Sequence, residues 1–348
     1  MKKLDLYIIK KFLGTFFFSI LLLIVVVIIF DLSEKIDDFI DNHAPLNAVI
    51  FDYYLNFIPY FVNLFLHLFT FIAVIFFTSK MAADTEIVAI LSSGISFKRL
   101  LFPYLISALV LVIMSFYLSN FLIPKTNKIL VAFEKTYIKN KQKKSEINIH
   151  IQTEPGTYVY VESFNNIRKT GNKFSYEKIN EKKQLYYKLT SNRILWDSVS
   201  NKWILKDYFI RTIDSLDEKI YRGKKLDTIF KFKPKDFSTA KIDVKTLSYF
   251  ELKDFIKEEK IKGSKNITEY LVLKNKRIAD PFSIFIFTLI GVALSCRKTR
   301  GGTGMHIGIG IGLAFSFIFF MQVSTVFATM GSLSPLIAVW IPNIIFGV

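Results

Sequence analysis

The sequence predicts a membrane α-helical protein: six transmembrane helices, arranged three and three, with an inserted extracytoplasmic all-β domain of jelly-roll type. Three observations predict this. Stretches without a single Asp, Glu, Lys or Arg run over Phe12–Phe30, Tyr53–Ser79, Leu100–Pro124, Pro281–Cys296 and Gly301–Val348. Positive charge is concentrated between them: residues 125–280 hold 35 basic and 20 acidic side chains, against 11 and 9 in the rest of the chain. Inside that basic block the hydrophobic pattern changes to the two-residue period of strands.

A helix that crosses the ~30 Å hydrocarbon core needs about 20 apolar residues, so each charge-free stretch is a span. The last stretch, 48 residues long, holds two spans, divided at Gly331-Ser-Leu-Ser-Pro335. The 14 residues from Pro335 onward are too few for a comfortable crossing, and the expectation is a sixth helix that continues past Val348. The first span follows Lys2 and Lys3 in the manner of a secretory signal. It runs on into Asp31-Leu-Ser-Glu-Lys35 without a small-x-small cleavage site, so it reads as an uncleaved helix.

Short loops set the orientation. Lys2, Lys3, Lys10, Lys11, Lys80, Lys98, Arg99, Arg297, Lys298 and Arg300 fall on one side. The loop expected after the first span holds only Lys35 against Asp31, Glu34, Asp37, Asp38 and Asp41. The positive-inside rule therefore puts the N-terminus in the cytoplasm and the basic block outside it. The expected division is residues 1–124 for helices 1–3, 125–275 for the periplasmic domain and 276–348 for helices 4–6.

In the middle domain, Ile147, Ile149 and Ile151 alternate with polar residues, Glu154-Pro155-Gly156 turns the chain, and Tyr158–Val161 resumes an extended pattern. Leu185–Leu189, Ile194–Trp196 and Lys202–Leu205 continue it, with a turn at Ser198–Asn201. From Thr246 to Ile261 the period becomes helical, with Leu247, Phe250, Leu252, Phe255 and Ile256 largely on one face and Gly263 as the stop. Lys139–Lys144 reads as a solvated connection.

Several chemistries are excluded or disfavoured. No Gly-x-x-x-x-Gly-Lys-Ser/Thr loop is present, so the chain is not its own P-loop ATPase. His43, His67, His150 and His306 have no metal-ligand spacing, and the lone Cys296, read as a small helix-end residue, forms neither an intramolecular disulfide nor a multi-cysteine site. His67 lies mid-span without a carboxylate partner and reads as a packed neutral imidazole rather than a proton relay. The net charge of +17 would suit nucleic acid, but the basic block is on the wrong side of the membrane for it. An anionic glycolipid suits it better.

Two membrane features carry more. Asp84-Thr-Glu-Ile-Val-Ala-Ile-Leu-Ser-Ser-Gly-Ile-Ser96 reads as a short cytoplasmic helix near 82–96, begun at Asp84 or Thr85, with Glu86 in its first turn and Gly94 as the stop. It fits a docking element for a cytoplasmic partner and equally a plain connecting helix. Gly304, Gly308 and Gly312, four apart in the fifth span, form a small face that another helix can approach closely.

With these elements in order, the chain resembles the lipopolysaccharide-export permeases of the LptF/LptG (YjgP/YjgQ) family. The residues that carry the resemblance are Leu4-Asp-Leu-Tyr-Ile-Ile-Lys-Lys-Phe-Leu13, Pro59, the TEIVAILSSGIS stretch, Phe121-Leu-Ile-Pro124, Lys276-Arg277-x-x-x-Pro281, the Arg297–Gly304 loop and Trp340-Ile-Pro-Asn343. The resemblance implies a non-catalytic subunit of an ABC transporter in the bacterial inner membrane. It implies a heterodimer with a paralogous permease, resting on a dimeric cytoplasmic ATPase that supplies the ATP and magnesium; no cofactor is bound by this chain. Lipopolysaccharide would enter between the first and fifth helices of the partners and pass by the jelly rolls to a periplasmic bridge protein.

It also implies roles for residues. Glu86, with Thr85, Ser93 and Gly94 beside it, would couple to the ATPase. Lys35, Lys125 and Lys128 would meet lipid A phosphates, although the acids around Lys35 depart from the family pattern. Phe16, Ile20 and Leu23 in the first span and Phe315 and Phe319 in the fifth would meet acyl chains. Two alternatives remain: another ABC-type lipid or lipoprotein-release permease, whose large domain would follow the first helix rather than the third, and a non-transport scaffold with an anion-binding domain.

Overall fold

The computed structural model describes residues 3–138, 146–165, 168–180, 184–214, 217–237, 243–261, 263–264, 266–297 and 302–348. The expected lysine-rich connection, residues 139–144, lies outside the described residues. The chain forms two compact units: residues 1–140, 245–252 and 268–348 make a helical unit, residues 141–244 and 253–267 a β unit.

In chain order the helices are α1 (Lys3–Asp41), α2 (Leu46–Ala83), α3 (Glu86–Ser92), α4 (Phe97–Tyr137), α5 (Tyr249–Ile261), α6 (Ile267–Ser295), α7 (Gly302–Thr329) and α8 (Pro335–Gly347). Among the described residues, α1, α2, α4, α6 and α7 are long and apolar enough to cross a bilayer, and α8 is a shorter apolar helix of 13 residues. At 1.5 Å per residue the 39-residue α1 is about 58 Å long, nearly twice the ~30 Å hydrocarbon core.

That length corrects one expectation. The acid-rich stretch from Asp31 to Asp41 is not a loop but the continuation of α1. No Gly or Pro interrupts residues 15–44, so nothing ends the helix before His43, at φ 51, and Pro45. Pro124 likewise does not end the third span. A π-helical turn at Leu118–Leu122 precedes it, and Pro124 then sits in the first turn of the resumed α-helix, where its missing N–H costs nothing. The break between the last two helices is as expected: Gly331 adopts φ 82 and the Ser334 hydroxyl caps α8 by accepting from the Ile337 N–H.

The hydrophobic effect does not drive helices together inside lipid, so close packing and interhelical hydrogen bonds do that work. Ile8, Phe12, Phe16 and Ile20, four residues apart, bury one stripe of α1 in a core shared with α2 and α4. Polar pairs join the helices at intervals. Thr78 and Tyr104 hydroxyls meet at 3.1 Å, Ser115 donates to Asn63 Oδ1 at 2.8 Å, and Ser79 meets His306 Nδ1 at 2.7 Å. Asn343 donates to the Ala279 carbonyl at 2.9 Å.

The β unit is a single antiparallel sheet of β1 (Glu146–Glu154), β2 (Thr157–Asn165), β3 (Thr170–Ile179), β4 (Leu185–Asp197), β5 (Lys202–Asp214) and β6 (Asp217–Thr228), in that spatial order. Its core is Ile149, Val159, Val161, Phe164, Phe174, Leu189, Ile194, Trp203 and Leu205, closed by Phe232 and Phe237 from the segment after β6. Gly171 is required here: a Cβ would come within 2.9 Å of Ile194 and Val161 side-chain carbons.

Helix α5 starts three residues later than the sequence pattern suggested. Ser248 caps it: Glu251 Oε2 accepts from the Ser248 N–H at 2.8 Å, while Ser248 Oγ accepts from the Glu251 N–H at 3.4 Å. Leu252 and Ile256 are buried, but Phe250 is 66% exposed. Two residues from Leu252 is about 200° around a helix, which puts Phe250 on the opposite face.

Two outcomes follow. Phe164→Ala, which removes a ring 5.0 Å from Phe237 and 6.3 Å from Trp203, should destabilise the sheet by about 3–5 kcal/mol; denaturant unfolding followed by tryptophan fluorescence measures it. The Ser248 N–H, and next the Lys128 ammonium, hold the Glu251 carboxyl down at about 2, from 4.5. Its contribution is therefore complete above pH 4.5 and is lost as pH falls toward 2. Hydrogen exchange in the first turn of α5 should accelerate over that window, and Glu251→Gln should flatten the response.

Candidate functional site

Helix α3 hangs between two spans. After Ala83 the Asp84 N–H still bonds to the Lys80 carbonyl at 2.9 Å, then Thr85 reverses the chain at φ 60, a left-handed conformation costly for a β-branched residue. The side-chain cap expected from Asp84 or Thr85 is not formed; the Thr85 hydroxyl donates instead to the Asp84 carbonyl at 2.7 Å. At the far end Ser93 donates to the Ile90 carbonyl, Gly94 takes φ 85, and Ser96 caps α4 by accepting from the Arg99 N–H.

The seven-residue helix has two faces. Ile87, 2% exposed, belongs to the core that also holds Ile8, Phe12, Met81 and Leu100, and half-buried Ile90 packs against that core. Val88 and Leu91 point outward and are exposed, as are Thr85, Ser93 and Gly94. Glu86 is half-exposed and already engaged: Tyr7 Oη donates to its Oε2 at 2.8 Å, and Lys11 Nζ lies 3.1 Å from Oε1. Just beyond α3, both terminal nitrogens of Arg99 donate to the two oxygens of Asp5 at 2.7 Å, and Asp5 is 1% exposed. Sequence reasoning missed this pair. The one available signal was a lone acid among the cations that precede the first span.

The cations considered for lipid phosphates differ in availability. Lys35 pairs with Asp31 at 2.6 Å and also donates to the Tyr53 hydroxyl, which in turn donates to Asp31 at 2.9 Å. Lys128 pairs with Glu251 at 3.0 Å. Lys125 is exposed, with no ion-pair partner among the described residues.

The apolar candidates also separate. Phe16 and Ile20 are buried inside the helical unit, not presented outward, because they lie on the stripe that packs α1; Leu23 is packed beside them. The exposed face of α1 is Phe17, Phe18, Leu21, Leu22, Val25 and Val26. In α7, Phe315 and Phe319 are 67% and 65% exposed. A Cβ added at Gly304, Gly308 or Gly312 would meet nothing within 4 Å, so among the described residues no helix packs on that stripe. Gly310 is the glycine that packs internally, against Ile75 of α2. His67 stacks on Phe287, 6.0 Å away, as a packed imidazole. Among the described residues no group of three His, Cys, Asp or Glu side chains is placed to hold a metal.

A helical unit with several bilayer-length helices, and an antiparallel β domain inserted between its third and fourth, defines a multi-pass membrane protein with an embedded β module. The chain matches the model of the lipopolysaccharide export system permease LptF/LptG over residues 6–348 and belongs to that family. It is thus a permease component of the inner membrane. No curated protein matches the chain.

The backbone of α3 makes a prediction. Thr85→Gly should raise thermal stability, since it removes a left-handed cost of about 1–2 kcal/mol. Gly94→Ala should lower it by a similar amount through backbone strain alone, because a Cβ there meets nothing. Melting of the detergent-solubilised protein reads both signs.

Proposed function

We propose that this chain is one permease of an ABC exporter that takes lipopolysaccharide from the inner membrane and passes it to a periplasmic bridge protein. It would pair with a paralogous permease and rest on a dimeric cytoplasmic ATPase, which hydrolyses ATP. Family membership supports the substrate class.

The observation that carries the two-permease arrangement is uneven coverage of the spans. In their most apolar windows α1 is 17% and α7 22% buried within this chain, whereas α2, α4 and α6 reach 44%, 39% and 50%. The two under-covered helices are the ones that would face a second permease and border the glycolipid cavity. On α7 the stripe of Gly304, Gly308 and Gly312 leaves room for close approach, and Phe315 and Phe319 offer contact to acyl chains. On α1 that contact falls to Phe17, Phe18, Leu21 and Leu22, in place of Phe16 and Ile20.

Lys125, exposed, is the cation most readily offered to a phosphate; Lys35 and Lys128 would first have to leave carboxylates. Helix α3 is the docking element in this reading. Val88 and Leu91 give it an apolar outward face, and Glu86 at its start offers a carboxylate to a basic residue of the ATPase.

The docking reading is tested with three variants. Glu86→Ala, Glu86→Arg and Val88→Asp should each reduce co-purification of the ATPase and glycolipid-stimulated ATP hydrolysis, with Glu86→Arg the most severe because it sets cation against cation. Unchanged co-purification and turnover in all three would remove α3 from the docking role.

A further inference from the structure

Polar ties to the start of α1 flank helix α3, one on its first residue and one in the first turn of α4. At the first residue, Tyr7 and Lys11 of α1 hold Glu86. After it, Arg99 grips Asp5 of α1 through two parallel hydrogen bonds of 2.7 Å. Between these ties Ile87 is buried in the same core as Ile8 and Phe12 of that helix. The ties differ in kind. Glu86 and Lys11 are each about one-third exposed and so are open to exchange with an outside charge. Asp5 is sealed from solvent, and removing Arg99 from it would leave a desolvated carboxylate.

Farther along, the polar ties of α1 pass to α2. Its next polar tie is Asp31 and Lys35 with Tyr53, which lies on α2. Over the intervening five turns and more, the outward side of α1 is exposed and makes no polar side-chain contact among the described residues. The polar ties of its first turns therefore run to α3 and the start of α4, and those of its far end to α2, while its apolar stripe packs on α2 and α4 between them, with Phe12 stacked on Phe77 at 5.6 Å.

We propose that Asp5, Tyr7, Lys11 and Arg99 are positioning residues that clamp α1 to α3, so that the two travel as one body when an ATPase displaces α3. The inference rests on the docking reading of α3 and extends it: it names the helix that receives the displacement and the residues that transmit it. Glu86 then has two jobs, since a basic residue of the ATPase would share its carboxylate with Lys11. Lys11 and Tyr7 act through Glu86 and touch neither nucleotide nor lipid.

The test uses the complete transporter in proteoliposomes containing lipopolysaccharide. Lys11→Met and Tyr7→Phe should retain the ATPase on purification, because Val88 and Leu91 are untouched, yet lose roughly tenfold of the glycolipid stimulation of ATP hydrolysis, the scale of a coupling free energy between sites. Lys11→Arg should restore it. Stimulation unchanged in Lys11→Met and Tyr7→Phe overturns the clamp.

A second measurement does not depend on glycolipid. In a Cys296→Ser background, spin labels at Leu6→Cys and Ser92→Cys, both exposed positions, should keep one distance with and without trapped nucleotide. A distance that changes shows α1 and α3 separating and overturns the proposal. If the unaltered transporter shows no glycolipid response while the label distance stays constant, the transport reading fails and the clamp stands.

Discussion

The pair formed by Asp5 and Arg99 is the contact on which the helical unit depends. A carboxylate sealed from water is tolerable only when it is matched in charge and in hydrogen bonds, and the guanidinium supplies both through a planar fork. The pair ties the first turn of α1 to the first turn of α4, helices separated in sequence by the whole of α2 and α3. Helix α3 is held from behind, with Ile87 in the core shared by α1, α2 and α4 and its outward face left free.

The same logic repeats at the other end of α1. Asp31 interrupts the apolar stretch where the charge-free run ends, and Lys35 and the Tyr53 hydroxyl compensate it. Between Lys11 and Asp31, Thr15 and Ser19 apart, α1 has only apolar side chains and glycine to offer, one stripe committed inward and the other uncommitted. Helix α7 has the same division: Gly310, Ala314 and Phe317 pack inward, while Phe315, Phe319 and the Gly304, Gly308, Gly312 stripe face away. Helices with one finished and one unfinished face are what a permease that works with a second subunit needs.

The β unit handles its charge in another way. Some of its lysines are matched to carboxylates across strands, as with Lys173 to Glu162 and Lys188 to Glu177, both at 2.8 Å. The inward side is aromatic: Phe164, Phe174, Trp203, Phe232 and Phe237 stack within about 6 Å of one another. β1, β2, β4 and β5 were legible because they alternate between these sides. β3 and β6 were not, since Thr170–Ile179 places few residues in the core and Asp217–Thr228 almost none, so neither carries an apolar period.

The sequence by itself determined the spans, the inserted β domain, the short helix at Glu86 and the break before Pro335. These are local properties: a bilayer demands an unbroken apolar run, a strand or helix repeats at its own period, and Gly94 and Gly331 mark positions that need positive φ. Helix ends were less legible, because α1 and α4 run past the last apolar residue wherever no Gly stops them and a π-turn absorbs Pro124. Only the tertiary structure decided which charged groups are available. Lys11 finds Glu86, Arg99 finds Asp5 and Lys128 finds Glu251, partners 75, 94 and 123 residues away in the chain. No local pattern records such a pairing, and the stripe that buries Phe16 and Ile20 is selected by the helices it meets.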